Sequence, residues 1–300
     1  MTDDGPFDRR LRRLRRDRAA SAGGEADYLF HRVADEILDR LELVSRSFAR
    51  ALDLGCGDGY LTRRLRERGL DVVPADPGIL FARSAGGVQC DEDRLPFADA
   101  SFDLVVSAGV LDTVNDLPGA LLLIRRALVP DGLFLGAFAG AGSLPQLRIA
   151  MLAADSAEGG AAPRIHPQID VRAAGDLLTR AGFTLPVVDT ETLEVRFSGL
   201  HRLVRDLRAT GATNQLASRS RRPLGRRGFL AALEDWQSRA DEDGKVTERF
   251  EIVHLLGWSP SPDQPRPARR GSATASLADA LRPPPGPRSP DGAEPSGSDR

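Results

Sequence analysis

Ala51-Leu52-Asp53-Leu54-Gly55-Cys56-Gly57-Asp58-Gly59 is the stretch that decides the fold. An apolar run carries an acid two residues before a G-x-G-x-G turn, and an amphipathic helix over 60–68 follows directly. Glycine lets the backbone turn through positive φ and lets a ligand approach where a Cβ would stand in the way. Outward from the turn the alternation continues. Strands are predicted over 50–54, 71–75, 88–90, 102–107 and 132–138, with a helix over 118–128. Upstream, Leu29, Val33, Ile37 and Leu41 recur every four residues on a helix that Asp27 can cap. Downstream, 139–170 reads as irregular, 171–181 as a helix, 184–197 as β-rich and 249–258 as a closing strand. The pattern predicts an α/β fold, a parallel sheet with helices on both faces.

A dinucleotide-binding loop would continue as G-x-G-x-x-G, and here Tyr60 stands at the sixth position. Asp53 beside the loop would repel a diphosphate and suits an ammonium group. Asp76 ends the second strand, 21 residues past Gly55, where a carboxylate can accept both hydroxyls of a ribose. Asp91 ends the third and can receive the exocyclic amine of adenine. A nucleoside with an ammonium and no phosphate is S-adenosyl-L-methionine (SAM). The cofactor-binding candidates are therefore Asp53, Gly55, Gly57, Gly59, Asp76 and Asp91.

This set, together with Leu95-Pro96-Phe97-Ala98-Asp99-Ala100-Ser101-Phe102-Asp103-Leu104-Val105, resembles the class I SAM-dependent methyltransferases over residues 25–197. The resemblance implies a Rossmann-like sheet of seven strands, the last one antiparallel, with helices on both faces. The helical, basic block 198–244 would be an insertion before that last strand, with Leu200, Leu203, Leu207, Phe229, Leu233 and Trp236 as apolar anchors. The domain would then span 25–258.

Other segments resemble a narrower family, the NADH dehydrogenase complex I assembly factor 5 proteins. They are Phe7-Asp8-Arg9-Arg10 with the arginine run behind it, Val114-Asn115-Asp116-Leu117-Pro118-Gly119-Ala120-Leu121, and Leu207-Arg208-Ala209-Thr210-Gly211-Ala212-Thr213-Asn214. Phe250-Glu251-Ile252-Val253-His254-Leu255-Leu256-Gly257-Trp258 belongs with them, as do Gly271-Ser272-Ala273 and Leu277-Ala278-Asp279-Ala280-Leu281. This likeness implies an enzyme that modifies an iron–sulfur subunit of NADH dehydrogenase, by arginine hydroxylation or by methyl transfer. Two positions depart from the family pattern. Asp112-Thr113 stands where relatives carry His-Trp, and Arg164-Ile165-His166-Pro167-Gln168 lacks the phenylalanine after the proline.

Methyl transfer needs a desolvated nucleophile in line with the methyl and a base for its proton. Asp112, Asp116 and His166 are the catalytic candidates. Asp116 precedes Pro118 and can equally cap a helix. No Asn/Asp-Pro-Pro-aromatic motif follows the fourth strand, and neither Cys56 nor Cys90 lies in a Pro-Cys pair. Both absences argue against methylation of nucleobases. The four histidines are scattered, so no metal site is expected.

Composition narrows the partners. The 41 Lys+Arg and 43 Asp+Glu leave a net charge of −2, which excludes coating nucleic acid by bulk charge. No apolar stretch is long enough to span a bilayer. The first residues lack a signal core, and Asp3, Asp4 and Asp8 suit no transit peptide, so a reducing, cytoplasmic setting is expected. Seven arginines over 9–18 surround Leu11 and Leu14. They form either a solvated first helix or a basic arm, 1–24, for an acidic partner or a membrane surface. Nine arginines against Asp206 over 196–227 offer another surface for an acidic partner. Ten prolines over 259–300 predict a disordered tail. Two other functions fit the same residues: a non-catalytic SAM-binding assembly chaperone, and a methyltransferase for a small molecule or an acyl-carrier-protein carboxylate.

Overall fold

Residues 51–54 are all buried, which only a strand covered on both faces allows. In the computed structural model, which describes residues 5–24, 26–264 and 276, they form the core of strand β1 (Arg50–Leu54). Four further strands lie parallel in the same sheet: β2 (Asp71–Asp76), β3 (Val88–Gln89), β4 (Phe102–Ala108) and β5 (Leu128–Ala139). Two long strands, β6 (Thr184–Phe197) and β7 (Val246–Trp258), pair antiparallel, and β7 inserts beside β5 with Gly136 opposite Leu255. The order is β3-β2-β1-β4-β5-β7-β6. The expected seven-stranded Rossmann-like sheet is therefore present. It reverses direction of winding between β1 and β4, the place where open α/β sheets form ligand crevices beyond their carboxyl ends.

Two apolar clusters sandwich the sheet. One joins helices α2 (Tyr28–Glu42) and α3 (Tyr60–Glu67) to Leu104, Leu133 and Leu135. The other joins α5 (Leu117–Ala127) and α7 (Val171–Arg180) to Leu52, Phe134 and Phe138. The short α4 (Ile79–Ser84) follows β2.

The stretch 139–170 is not irregular throughout, because it contains helix α6 (Pro145–Glu158). Its buried stripe is mostly small, with Leu147, Ala150 and Ala154, so no run of large apolar side chains marks it. That flat face receives α9 (Arg226–Gln237), whose Gly228 lies so close that a Cβ there would sit 2.7 Å from Glu158 Oε1. The insertion expected before the last strand consists of α8 (Leu200–Ala209), α9 and the chain joining them. Leu200, Leu203 and Trp236 anchor it as expected, whereas Phe229 is 49% exposed and anchors nothing. The reason is rotational: Gly228, Ala232 and Trp236 hold the inner face of α9.

The first helix, α1 (Arg9–Ala22), is not solvated. Arg12 and Arg16 are 3% and 7% exposed, and Asp8 caps the helix by accepting from the Leu11 N–H at 3.0 Å. The segment in front is stitched down as well. Phe7 N–H donates to Asn115 Oδ1 at 2.8 Å, and Asp8 N–H donates to the Gln215 carbonyl at 2.9 Å.

The chain divides into two units, Met1–Pro262 and Asp263–Arg300. Of the proline-rich segment predicted to be disordered, residues 265–275 and 277–300 lie outside the described residues, and with them the Gly271-Ser272-Ala273 and 277–281 motifs. Among the described residues no helix is long and apolar enough to cross a membrane.

Helix α6 starts at Leu144 in the left-handed region, without a side-chain cap of its own. Glu248 of β7, fully buried, takes that role by accepting from Gln146 N–H at 3.2 Å and Leu147 N–H at 2.8 Å. Glu248 also accepts from Arg249 N–H at 3.0 Å, so Glu248→Ala takes an acceptor from three backbone donors and should cost about 2 kcal/mol in urea denaturation, with the m-value unchanged.

Candidate functional site

The turn between β1 and α3 takes the shape its glycines permit. Gly55, Gly57 and Gly59 have φ of +84°, +52° and +77°. Gly55 and Cys56 both donate their N–H groups to the Ala75 carbonyl, at 2.7 and 3.0 Å, which ties the turn to the end of β2. Gly57 N–H donates to Asp76 Oδ2 at 3.1 Å. Asp53 lies beneath the turn, 1% exposed, accepting from the Thr62 hydroxyl at 2.5 Å. Burial raises its carboxyl to about 7, against the opposing pull of the Thr62 hydrogen bond. Burial also holds the Cys56 thiol well above its usual range, so it is no nucleophile.

Asp53, Asp76 and Asp91 come together at one edge of the sheet, as the spacing predicted. What the sequence did not suggest is what covers them. Helix α1 lies along this edge and laces it with guanidinium groups. Arg9 donates to both carboxylate oxygens of Asp93 at 2.5 and 2.6 Å. Arg12 does the same to Glu92 at 2.6 and 2.8 Å. Arg13 pairs with Asp91 through both oxygens. Arg16 Nε donates to Asp76 Oδ1 at 2.9 Å and its Nη2 donates to Oδ2. Arg12 also donates to the Val110 carbonyl at 3.1 Å and to Thr113 Oγ1 at 3.0 Å. Arg16 lies over the Phe81 ring, 4.9 Å from its centroid. Arg9, Arg12, Arg13, Arg16, Glu92 and Asp93 are therefore site residues that motif reading missed. A signal was present, since arginines at i, i+3, i+4 and i+7 share one helix face and 91–93 is an unbroken acidic run.

Beside this edge is a cavity of ≈ 340 Å³. Its walls are mainly apolar, with Phe30 and Val33 from α2, Leu147 and Met151 from α6, and Leu203 and Leu207 from α8. The segment Arg164-Ile165-His166-Pro167-Gln168 lines it.

The three catalytic candidates fare differently. Asp112, in a 3-10 turn (Leu111–Thr113), faces the cavity, and burial raises its carboxyl to about 6 despite the nearby Arg12. His166 also lines the cavity. Its Nε2 accepts from Gln215 N–H at 2.9 Å, and its ring meets Phe7 edge-on at 5.3 Å. Burial and the neighbouring Arg15 lower it to about 4, so it is neutral, with Nε2 already engaged. Asp116 is turned away from the cavity chemistry. It is exposed and caps α5 by accepting from Gly119 N–H at 2.9 Å. Pro118 at the helix start marks it as a cap.

At the outer side of the glycine turn, Asp27, His31 and Asp58 bring one ligand atom each within 4.8 Å of one another. His31 Nε2 lies 2.9 Å from Asp58 Oδ2, and its ring stacks on Tyr60. Asp27 sits at the start of α2 without making a side-chain capping bond. Asp27 and His31 lie one turn apart at the start of α2, and Asp58 joins them from the glycine turn only after folding, which sequence spacing could not show.

Comparison with known proteins agrees with the fold. A methyltransferase domain family matches residues 52–136. The chain is 37% identical to the arginine-hydroxylase NDUFAF5 of Danio rerio over 285 residues, covering 91% of this chain and 88% of that protein. The Homo sapiens protein of the same name is 38% identical, with 91% and 82% covered. A malonyl-[acyl-carrier protein] O-methyltransferase from Laribacter hongkongensis is 33% identical, with 90% and 95% covered. Among solved structures, a methyltransferase-like protein of Bacillus halodurans shares the fold with a TM-score of 0.52 at 14% identity, covering 76% of this chain and 100% of that one.

Proposed function

The chain belongs to the class I SAM-dependent methyltransferase family as a relative of the NDUFAF5 arginine hydroxylases, and from that premise we propose that it modifies an arginine side chain of a protein. It is an enzyme whose cofactor is SAM. An iron–sulfur subunit of NADH dehydrogenase is the protein substrate that the sequence resemblance implies.

Asp112 carries the proposal. At the edge where Asp76, Asp91, Glu92 and Asp93 each hold a guanidinium, Asp112 makes no such pair among the described residues and faces the cavity instead. Asp112 is half-buried with Arg12 near it but not paired to it, and an incoming guanidinium would relieve the cost of holding its charge away from water. The apolar walls suit the methylene stem of an arginine, as they would suit any long amphipathic side chain.

The residues at the glycine turn fit a bound SAM. Gly57 keeps the backbone of the turn free of side-chain bulk, and Arg16 Nη2 stands over it, 3.7 Å from where a Cβ would be. When bound, SAM supplies an electrophilic methyl group on a sulfonium. Asp76 would take the ribose, Asp91 the adenine amine and Asp53 the ammonium, with Gly55, Gly57 and Gly59 allowing close approach. Thr62 fixes the orientation of Asp53 through its hydroxyl. His166 then shapes the cavity, and Asp112 is the group left to orient a substrate nitrogen or hold its proton.

A second reading is favoured by the same cavity. Its apolar walls would also take an acyl chain, as in an acyl-carrier-protein carboxyl methyltransferase. Co-expression with an NADH dehydrogenase iron–sulfur subunit, followed by intact-mass analysis, separates the readings. A gain of one oxygen or one methylene on an arginine of the subunit is the expected result, abolished by Asp112→Asn. An unmodified subunit that still forms a complex points to the chaperone, and methylation of a malonyl thioester instead points to the second reading.

Asp53 gives a pH signature. It holds its proton up to about pH 7, and a neighbouring ammonium favours the ionised form. At pH 6 SAM binding should therefore release a proton, and affinity should rise with pH up to about 7 and level off above. Calorimetry in two buffers of different ionisation enthalpy measures this release, which Asp53→Asn should remove.

A further inference from the structure

We propose that Arg16 belongs to the cofactor site, where its guanidinium occupies the place of the ribose hydroxyls on Asp76, so that α1 is a built-in competitor for the cofactor. The inference rests on the assignment of Asp76 to the ribose given above.

A carboxylate offers about four lone-pair positions, and on Asp76 all are in use. Arg16 Nε and Nη2 take one on each oxygen, Gly57 N–H takes another on Oδ2 at 3.1 Å, and Gly78 N–H takes the last on Oδ1 at 2.7 Å. A ribose brings two hydroxyl donors to the same two oxygens. The two backbone donors are fixed by the turn and by the start of α4, so the exchange is between the diol and the guanidinium. Space leads to the same conclusion. The cavity over the glycine turn, bounded by Arg16, Asp53 and Phe81, measures ≈ 40 Å³, and that beside Arg12 and Arg16 also measures ≈ 40 Å³. Each is a small fraction of the ≈ 340 Å³ cavity beside them, and with Arg16 in place neither has room for a nucleoside.

The occupant is held as a lever rather than as one loose side chain. Arg9, Arg12 and Arg13 anchor the same helix face on Asp93, Glu92 and Asp91. Arg9 to Arg16 spans about 10 Å at 1.5 Å per residue. Asp17 Oδ1 accepts from Leu80 N–H at 3.0 Å, so α1 also caps α4, whose own N-cap is Gly78. Exchange of one bidentate donor for another never leaves Asp76 buried and unpaired, the state that would cost most. Cofactor affinity is then reduced by the fraction of molecules in which α1 has withdrawn.

The test is equilibrium dialysis of S-adenosylhomocysteine against the full chain, with hydrogen exchange followed over residues 9–22. Arg16→Gln should bind about tenfold more tightly if about a tenth of wild-type molecules have α1 withdrawn. The variant Asp17→Ala unties α1 from α4 without removing a partner of Asp76 or Asp91, and should move affinity the same way. It also keeps the test sound if Arg16→Gln folds poorly. In wild type, saturating ligand should raise exchange over 9–22. Unchanged or weaker binding by both variants, with exchange over 9–22 unchanged or lowered, overturns the proposal and makes Arg16 a bystander or a direct ligand. Asp76→Asn distinguishes the two levels: it should lose binding, and binding at wild-type strength would remove the ribose assignment itself.

Discussion

Carboxylates gathered at one edge of a sheet and withdrawn from water need counter-charge, and this requirement organises the whole end of the molecule where the chemistry lies. Asp76, Asp91 and Glu92 are at most 2% exposed. Their cations come from a single helix, α1, in forked geometry that lysine could not reproduce, and Asp91 has Arg9 as a second neighbour at 3.5 Å. The arginine-rich start of the chain, which as composition alone looked like a solvated or partner-seeking arm, is thereby part of the folded body. Three segments that resemble one narrow family meet around it. Phe7 bonds Asn115 in both directions, Asp8 bonds Gln215, and Gly211 lies so close to the Arg15 carbonyl that a Cβ there would be 3.2 Å away. Segments so far apart in the chain make sense together as the seat of one helix.

The site has two halves with opposite electrostatics. The half over the glycine turn is rich in carboxylates, of which Asp76, Asp91, Glu92 and Asp93 are already paired with arginine, and it is nearly filled. The half toward α6 and α8 is apolar, open, and carries a carboxylate, Asp112, that no guanidinium claims. Arg12 links them, since it pairs with Glu92 on one side and reaches the Val110 carbonyl and Thr113 on the other. Movement of α1 would therefore be felt in the turn that holds Asp112.

Local chemistry made much of this legible. The strand–turn–helix at 50–67 could be read because glycines at positive φ and an apolar run leave few alternatives, and Asp116 before Pro118 could be read as a cap. Helix α6 was hidden, because its buried face is built of alanines that pack against Gly228 and Ala232 of a helix distant in sequence. Phe229 looked like an anchor and is not, because the rotation of α9 is set by Gly228 and Trp236. The trio Asp27, His31 and Asp58 was out of reach for the same reason, Asp58 joining the other two only after folding.

The alternation of strands and helices, the glycine turn, and the placing of Asp53, Asp76 and Asp91 at strand ends followed from the sequence alone, since periodicity and turn chemistry are properties of short stretches; the order of the strands and the reversal between β1 and β4 did not. Which cation answers each carboxylate, which acid is left unpaired, and how much of the cofactor crevice is open were decided only by the tertiary structure. These depend on how α1 lies across the sheet edge, and that is a matter of ion pairs between residues 60 to 84 positions apart.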